Sequence, residues 1–202
     1  MAKVVLVATH NRGKIAEYRD MMQGLDLEWL GLADVGVTLE VDETGETFEE
    51  NAILKAKAYA AETGLLTLAD DSGLEVDALN GEPGVLTARY GGVGLTPKER
   101  YELLLRSLAG VPWEARTARF RCVIALHIKE RLVGTAEGSC EGIIATEAAG
   151  EGGFGYDPVF YLPERQVTMA QLSAEEKHKI SHRGRAVAGI APLLRGWLIG
   201  NW

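Results

Sequence analysis

The chain has 202 residues, 47% hydrophobic and 25% charged, a composition that fits one sizeable globular core and is short for two. Its net charge of −8 argues against a nucleic-acid-binding surface, which is usually basic. Cys122 and Cys140 are too few for a disulfide framework and fit no zinc spacing, no run approaches the length of a membrane span, and the short apolar N-terminus is too brief for a signal peptide, so a cytoplasmic location is the expectation.

Val4 to Ala8 reads as a buried strand, Thr9 to Lys14 as a turn, and Ile15 to Gln23 as a helix stopped by Gly24. Leu27 to Leu32 is a second strand, and Val35 to Gly45 an acidic loop. Thr47 and Glu50 form a capping box that opens a helix running to about Glu62 and ending at Gly64. The apolar run from Leu65 reads as a strand that ends in Asp70-Asp71-Ser72-Gly73. Leu74 to Leu79 then alternates like a separate, half-exposed strand, and Asn80 to Gly84 is a turn. Thr96-Pro97 starts a helix that reaches about Leu108. Ala115–Ile128 and Leu132–Gly138 make a hairpin about Lys129-Glu130-Arg131, and Cys140 to Thr146 extends that sheet. A glycine-rich loop, Glu151 to Pro158, precedes a short strand, Val159 to Leu162. Ser173 and Glu176 cap a brief helix, and Ser181 to about Leu198 is the last one. With no linker and no repeat, strand–helix units beside a long hairpin predict one mixed α/β domain over residues 1–202, with two lobes and a cleft between them.

Several short motifs carry chemistry. Asp70-Asp71 at a strand end places paired carboxylates where α/β proteins hold ligands; like charges there raise a pKa or bind a hard cation. A polar turn is an even alternative in isolation. Glu43, in the acidic cluster of Glu40, Asp42, Glu43 and Glu46, is a natural further oxygen ligand, although such clusters are more often solvated loops. Thr9 to Lys14 joins a strand to a helix start, where backbone N–H groups favour phosphate. Phe154 among glycines offers a ring face for stacking on a base. Arg183 offers a planar donor fork for phosphate. Acids for a metal and bases for phosphates together point to metal-assisted chemistry on a compact phosphorylated molecule. Taken singly, each motif has an ordinary structural reading.

Taken in order, these motifs are more specific. Thr9-x-Asn11-x-x-Lys14, Glu43-Thr44-Gly45-x-Thr47-Phe48-x-Glu50-Asn51-Ala52, Ala69-Asp70-Asp71-Ser72-Gly73-Leu74, Pro83-Gly84, Ala88-Arg89-Tyr90, Gly153-Phe154-Gly155-Tyr156-Asp157-Pro158 and Ser181-His182-Arg183-Gly184 follow one another as in the inosine/xanthosine triphosphate pyrophosphatases, which the chain resembles over nearly its whole length. The resemblance implies an elongated α/β homodimer. It also implies Mg²⁺-dependent hydrolysis of ITP, dITP or XTP to the monophosphate and pyrophosphate, removing them from the nucleotide pool. It assigns the triphosphate to Thr9, His10, Asn11, Arg12, Gly13 and Lys14, and a ligand contact to Ser72. Phe154, Gly155, Tyr156 and Asp157 would bracket the base, with Lys177, His182 and Arg183 completing recognition of base and phosphate. Asp71 becomes the proton acceptor and, with Glu43, a metal-site carboxylate. Two departures are visible: His10 stands where the family usually has Gly, and Asp42 where close relatives often have Glu.

Overall fold

Short apolar runs joined by helical segments cannot close as hairpins and need crossovers, and this sets the first half of the fold. The computed structural model describes residues 3–10 and 12–200, with Arg12 described by its backbone alone. In chain order the elements are β1 (Lys3–Val7), α1 (Arg12–Met21), β2 (Leu27–Gly31), α2 (Phe48–Thr63), β3 (Leu66–Val76), α3 (Pro97–Ser107), β4 (Thr117–Ile128), β5 (Arg131–Ile144), β6 (Phe160–Leu162), β7 (Val167–Thr168), α4 (Ala174–Ile180) and α5 (His182–Leu198). The strands form one seven-stranded mixed sheet in the order β2-β1-β3-β4-β5-β6-β7. β1 pairs in parallel with β2 and β3, setting Leu6 opposite Thr67, whereas β5, β6 and β7 pair antiparallel. The fold is therefore mixed α/β.

Two compact units share the chain. The first comprises Met1–Asp71, Cys122–Gly138 and Arg183–Trp202, the second Ser72–Arg121 and Ser139–His182. In the first, alternate strand residues point to opposite sides of the sheet. Val5, Val7, Leu66, Leu68 and Ile124 pack with Tyr18 of α1 and with Ala186, Ile190 and Leu194 of α5. Leu6, on the other face, clusters with Leu32 and with Tyr59 of α2. In the second, Leu74, Val76, Phe120 and Phe160 pack with Leu104 of α3, and the rings of Phe120 and Phe160 lie 4.4 Å apart.

The helix starts follow local chemistry. Thr47, Thr96 and Ser173 each accept from the backbone N–H three residues on, and Glu50, Glu99 and Glu176 reach back to complete the boxes. Gly64 closes α2 with φ +69°, a left-handed conformation that costs glycine little. Residues 37–45 carry no regular structure, but they are lashed to α2: the Tyr59 hydroxyl donates to the Leu39 carbonyl at 3.0 Å, and Asn51 Oδ1 accepts from Gly45 N at 2.8 Å.

Three expectations change, and one strand was not foreseen. The predicted break at Ser72-Gly73 does not exist: β3 runs unbroken from Leu66 to Val76, so Asp70 and Asp71 sit mid-strand rather than at a strand end. A turn signal loses to ladder pairing where the flanking residues are buried. The pieces predicted on either side of Ser139 are likewise the single strand β5. α1 begins at Arg12 rather than Ile15, bringing Gly13 and Lys14 into its first turn. β7, two residues long, gave no periodic signal. The described non-glycine residues with positive φ are Asn80, Lys129 and Gln166, so position 10 does not call for glycine. Cys122 and Cys140 are both buried, and neither is in a disulfide. Among the described residues, no helix is long and apolar enough to cross a membrane.

One buried charge in the second unit has a structural task. Arg116 is 4% exposed, and its guanidinium donates to the carbonyls of Leu108, Ile144 and Ala145 at 2.7–2.9 Å, tying the end of α3 to the end of β5. Arg116→Met should therefore lower unfolding free energy by about 2–4 kcal/mol in urea titrations, because three buried acceptors lose their donor.

Candidate active site

Because side chains alternate along a strand, Asp70 and Asp71 leave β3 on opposite faces. Both are buried, and a buried carboxylate requires compensation. The two faces supply it differently.

On the face covered by α1 and α5, Asp70 meets two cations. Lys14 Nζ lies 3.2 and 3.0 Å from its two oxygens, and Arg183 Nη2 lies 3.4 Å from Oδ2. Arg183, 2% exposed, also gives Nη1 to Glu17 Oε2 at 2.9 Å. Burial alone would push the Asp70 pKa up. The charges of Lys14, Arg183 and Lys55 outweigh it and hold the carboxyl well below the usual range. Asp70 therefore stays an anion, occupied as a counter-ion. Lys14, whose side chain is 23% exposed, lies in the first turn of α1. That turn carries no acidic residue of its own, and the helix macrodipole places partial positive charge there. Thr9 is half-buried, and His10 and Gly13 are exposed. Arg12 opens α1 by its backbone, and Asn11 lies outside the described residues.

On the face covered by α2, Asp71 meets a different set. Lys55 Nζ stands 3.5 Å from Asp71 Oδ1 and 2.5 Å from Glu43 Oε1. Asn51 donates to the Asp71 carboxylate and holds the Gly45 backbone, so one α2 side chain fixes both the strand and the loop that carries Glu43. A Cβ at Gly45 would come within 2.7 Å of Asn51 Oδ1 and of Glu50 Cβ, so the loop reaches the helix only with glycine there. Burial raises the Asp71 pKa, with help from Glu43 and against the pull of Lys55 and Asn51. Of the two adjacent carboxyls, Asp71 is the one better suited to accept a proton.

A metal at this face would have a small protein ligand set. Among the described residues no three His, Cys, Asp or Glu side chains gather as a metal cluster. Glu43 and Asp71, both within reach of one ammonium, offer two hard oxygens, while Glu40, Asp42 and Glu46 are exposed. Two carboxylates fit Mg²⁺, which keeps several waters and completes its shell with substrate phosphates.

The second unit holds the remaining predicted residues. Asp157 is 2% exposed; its Oδ2 accepts from Phe154 N at 2.7 Å and from Lys177 Nζ at 2.6 Å. Lys177 Nζ also stands 4.4 Å from the centre of the Phe154 ring, close enough for cation–π attraction. Phe154 itself is 51% exposed. An aromatic face is thus displayed to solvent on a loop pinned from below. Gly153 (φ +72°) makes the pin possible, since a Cβ there would overlap Asp157 Oδ2. Gly155 also takes positive φ. His182, 5% exposed, stacks on Phe120 with centroids 4.9 Å apart. Tyr156 is buried in the apolar cluster, and its hydroxyl donates to the Thr87 carbonyl at 3.0 Å. Ser72 is half-buried on β3.

The structure thus brings Lys14, Asp70 and Arg183 together, Glu43 with Asp71, and Phe154, Asp157 and Lys177 together. The Arg183 fork, expected to meet phosphate, is engaged by Glu17 and Asp70. Tyr156, expected beside the base, is a core residue. Sequence reasoning missed Lys55, the clamp role of Asn51, and Glu17. The signal was the helical spacing: Asn51 and Lys55 are i, i+4 on α2, and Lys14 and Glu17 are i, i+3 on α1.

Comparison with known proteins completes the picture. The model of the Ham1 family matches residues 5–193. A dITP/XTP pyrophosphatase of Bacillus licheniformis is 47% identical over 192 residues, 95% of this chain and 98% of its own. The enzyme of the same name from Desulforamulus reducens is 50% identical over 183 residues, 91% of each chain. Among solved structures, a HAM1 protein from Coxiella burnetii superposes with a TM-score of 0.89 at 41% identity, covering 96% of this chain and 98% of that one.

The Asp70 arrangement makes a stability prediction. Asp70→Asn should cost about 3–5 kcal/mol in urea unfolding at pH 7, because Arg183 is left buried beside a neutral partner. The Asp70 pKa is depressed in the folded protein, so its contribution is present above the ordinary carboxylate pKa and fades as pH falls towards the folded value. The gap between wild type and variant should therefore narrow progressively below about pH 4.

Proposed function

The chain belongs to the Ham1 family, and from that membership and its site geometry we propose that it hydrolyses dITP, ITP and XTP to the nucleoside monophosphate and pyrophosphate. The observation that carries the reading is the division of labour on β3: one aspartate is neutralised as a counter-ion beside a helix N-terminus, and its neighbour is left with a raised pKa beside Glu43. This is what in-line attack of water on an α-phosphorus needs from a protein, namely a proton acceptor and fixed positive charge for the leaving pyrophosphate. The names of the relatives, dITP/XTP pyrophosphatases at 44–50% identity, agree with it.

Asp71 is the proton acceptor in this reading. Asn51 orients it, and Lys14 with the first-turn N–H groups of α1 holds the triphosphate. Arg183 acts at one remove, fixing Asp70 and through it the Lys14 ammonium. Glu43 and Asp71 would hold Mg²⁺, which when bound neutralises phosphate charge and activates water. In the second unit the displayed Phe154 ring stacks on the base, and Lys177, held in place by Asp157, offers donors to a 6-oxo group. A donor set aimed at an oxo group leaves partners unsatisfied when adenine enters, and such mismatches reject by up to roughly 10⁴-fold. The enzyme acts as a homodimer in the cytoplasm and clears non-standard purines from the nucleotide pool; it binds no nucleic acid and no membrane.

Two measurements test this. Pyrophosphate release from ITP, dITP, XTP, GTP and ATP, with and without Mg²⁺, should show preference for the first three and dependence on the metal; preference for ATP would remove the proposed base reader. Asp71→Asn should lower kcat by roughly 10²- to 10⁴-fold, the range of a lost general base, with an unchanged circular-dichroism spectrum. Turnover near the wild-type value would refute the assignment.

A further inference from the structure

Lys55 is the group at this site that no sequence motif announced, and its placement is tightly determined. α2 is fixed at its start by the Thr47–Glu50 box, and one turn before Lys55 the Asn51 side chain grips both Gly45 and Asp71. The backbone of Lys55 therefore has a settled distance to both acids, and only its four-carbon stem can move. The side chain is 14% exposed, and its ammonium contacts Glu43 at 2.5 Å and Asp71 at 3.5 Å. These are the two oxygens assigned above to a divalent cation. An ammonium and a divalent ion cannot share them without strong repulsion at such range.

We propose that Lys55 is the resident cation of the Glu43–Asp71 pair and that a divalent ion enters by displacing it, so that metal binding and release of the Lys55 ammonium are one event. This rests on the reading of Glu43 and Asp71 as the metal carboxylates. Two consequences follow from charge alone. The free protein binds a bare divalent ion weakly, because the ion must break an existing ion pair. The ion arrives far more favourably with a polyphosphate, whose negative charge gives the displaced ammonium a new partner. The site thereby selects the metal–nucleotide complex over either component, and the acids stay neutralised between turnovers.

The test is Mn²⁺ affinity of the nucleotide-free, full-length protein, read by electron paramagnetic resonance, for wild type, Lys55→Met, Lys55→Arg and Glu43→Gln, alone and with Lys55→Met. Lys55→Met should bind Mn²⁺ roughly tenfold more tightly or better, since a competing charge has gone. Lys55→Arg, which keeps the charge, should show no gain, and Glu43→Gln should abolish the gain. As a second readout needing no variant, acetylation of Lys55 in the wild-type protein, followed by mass spectrometry, should rise when Mn²⁺ saturates the site. Unchanged or weaker Mn²⁺ binding in a folded Lys55→Met, with Glu43→Gln still weakening binding, would overturn the displacement and leave the metal pair standing. If Lys55→Met does not fold, unchanged Lys55 acetylation at saturating Mn²⁺ overturns it instead. Mn²⁺ binding indifferent to Glu43→Gln in both backgrounds would remove the metal pair itself, and the metal part of the proposed function with it.

Discussion

The structure depends on how two neighbouring carboxylates are kept in a sheet interior. Adjacent aspartates in a turn repel each other and are solvated. In a continuous strand the pleat separates them, one to each face, and each can be given its own surroundings. Asp70 receives a lysine and an arginine and becomes a fixed anion; Asp71 receives one lysine, an amide and a second acid and keeps a raised pKa. Two chemically identical side chains thus acquire different roles from environment alone, as pairs of titratable groups in active sites commonly do.

The second unit uses the same device with different parts. A buried acid, Asp157, holds a buried lysine and the backbone of the loop above it, and an aromatic ring is left facing outward. Burial of the ion pair contributes little net stability. What it gives is a fixed position for Lys177 and for the Phe154 backbone, and binding groups gain most from being ordered before a ligand arrives.

Much of this was legible in the residues. The three capping boxes appear where Thr47, Thr96 and Ser173 precede Glu50, Glu99 and Glu176, because the signal is local and the interaction is local. The ordered motifs identified the family. What stayed hidden was set by tertiary contact. Ser72-Gly73 is a turn signal in isolation, yet β3 runs through it without a break. Arg183 reads as a donor fork for phosphate, and nothing in Ser181-His182-Arg183-Gly184 reveals that Glu17 and Asp70 are its partners in the structure. Lys55 looked like an ordinary helix lysine, since its partners lie 12 residues upstream, in an irregular loop, and 16 downstream, on a strand.

The unbroken course of β3 also dictates which genetic changes this protein can absorb. Point replacements in Leu66–Ala69 alter packing but leave the phase of the strand intact. Loss of a single codon there would advance every later residue by one pleat. Asp71 would then be delivered to the side of Lys14 and Arg183, and Ser72 would face Lys55 in its place. The chain would keep all its functional residues and lose the handedness of the site. Reading-frame-preserving indels, rather than substitutions, are what this segment is least able to survive.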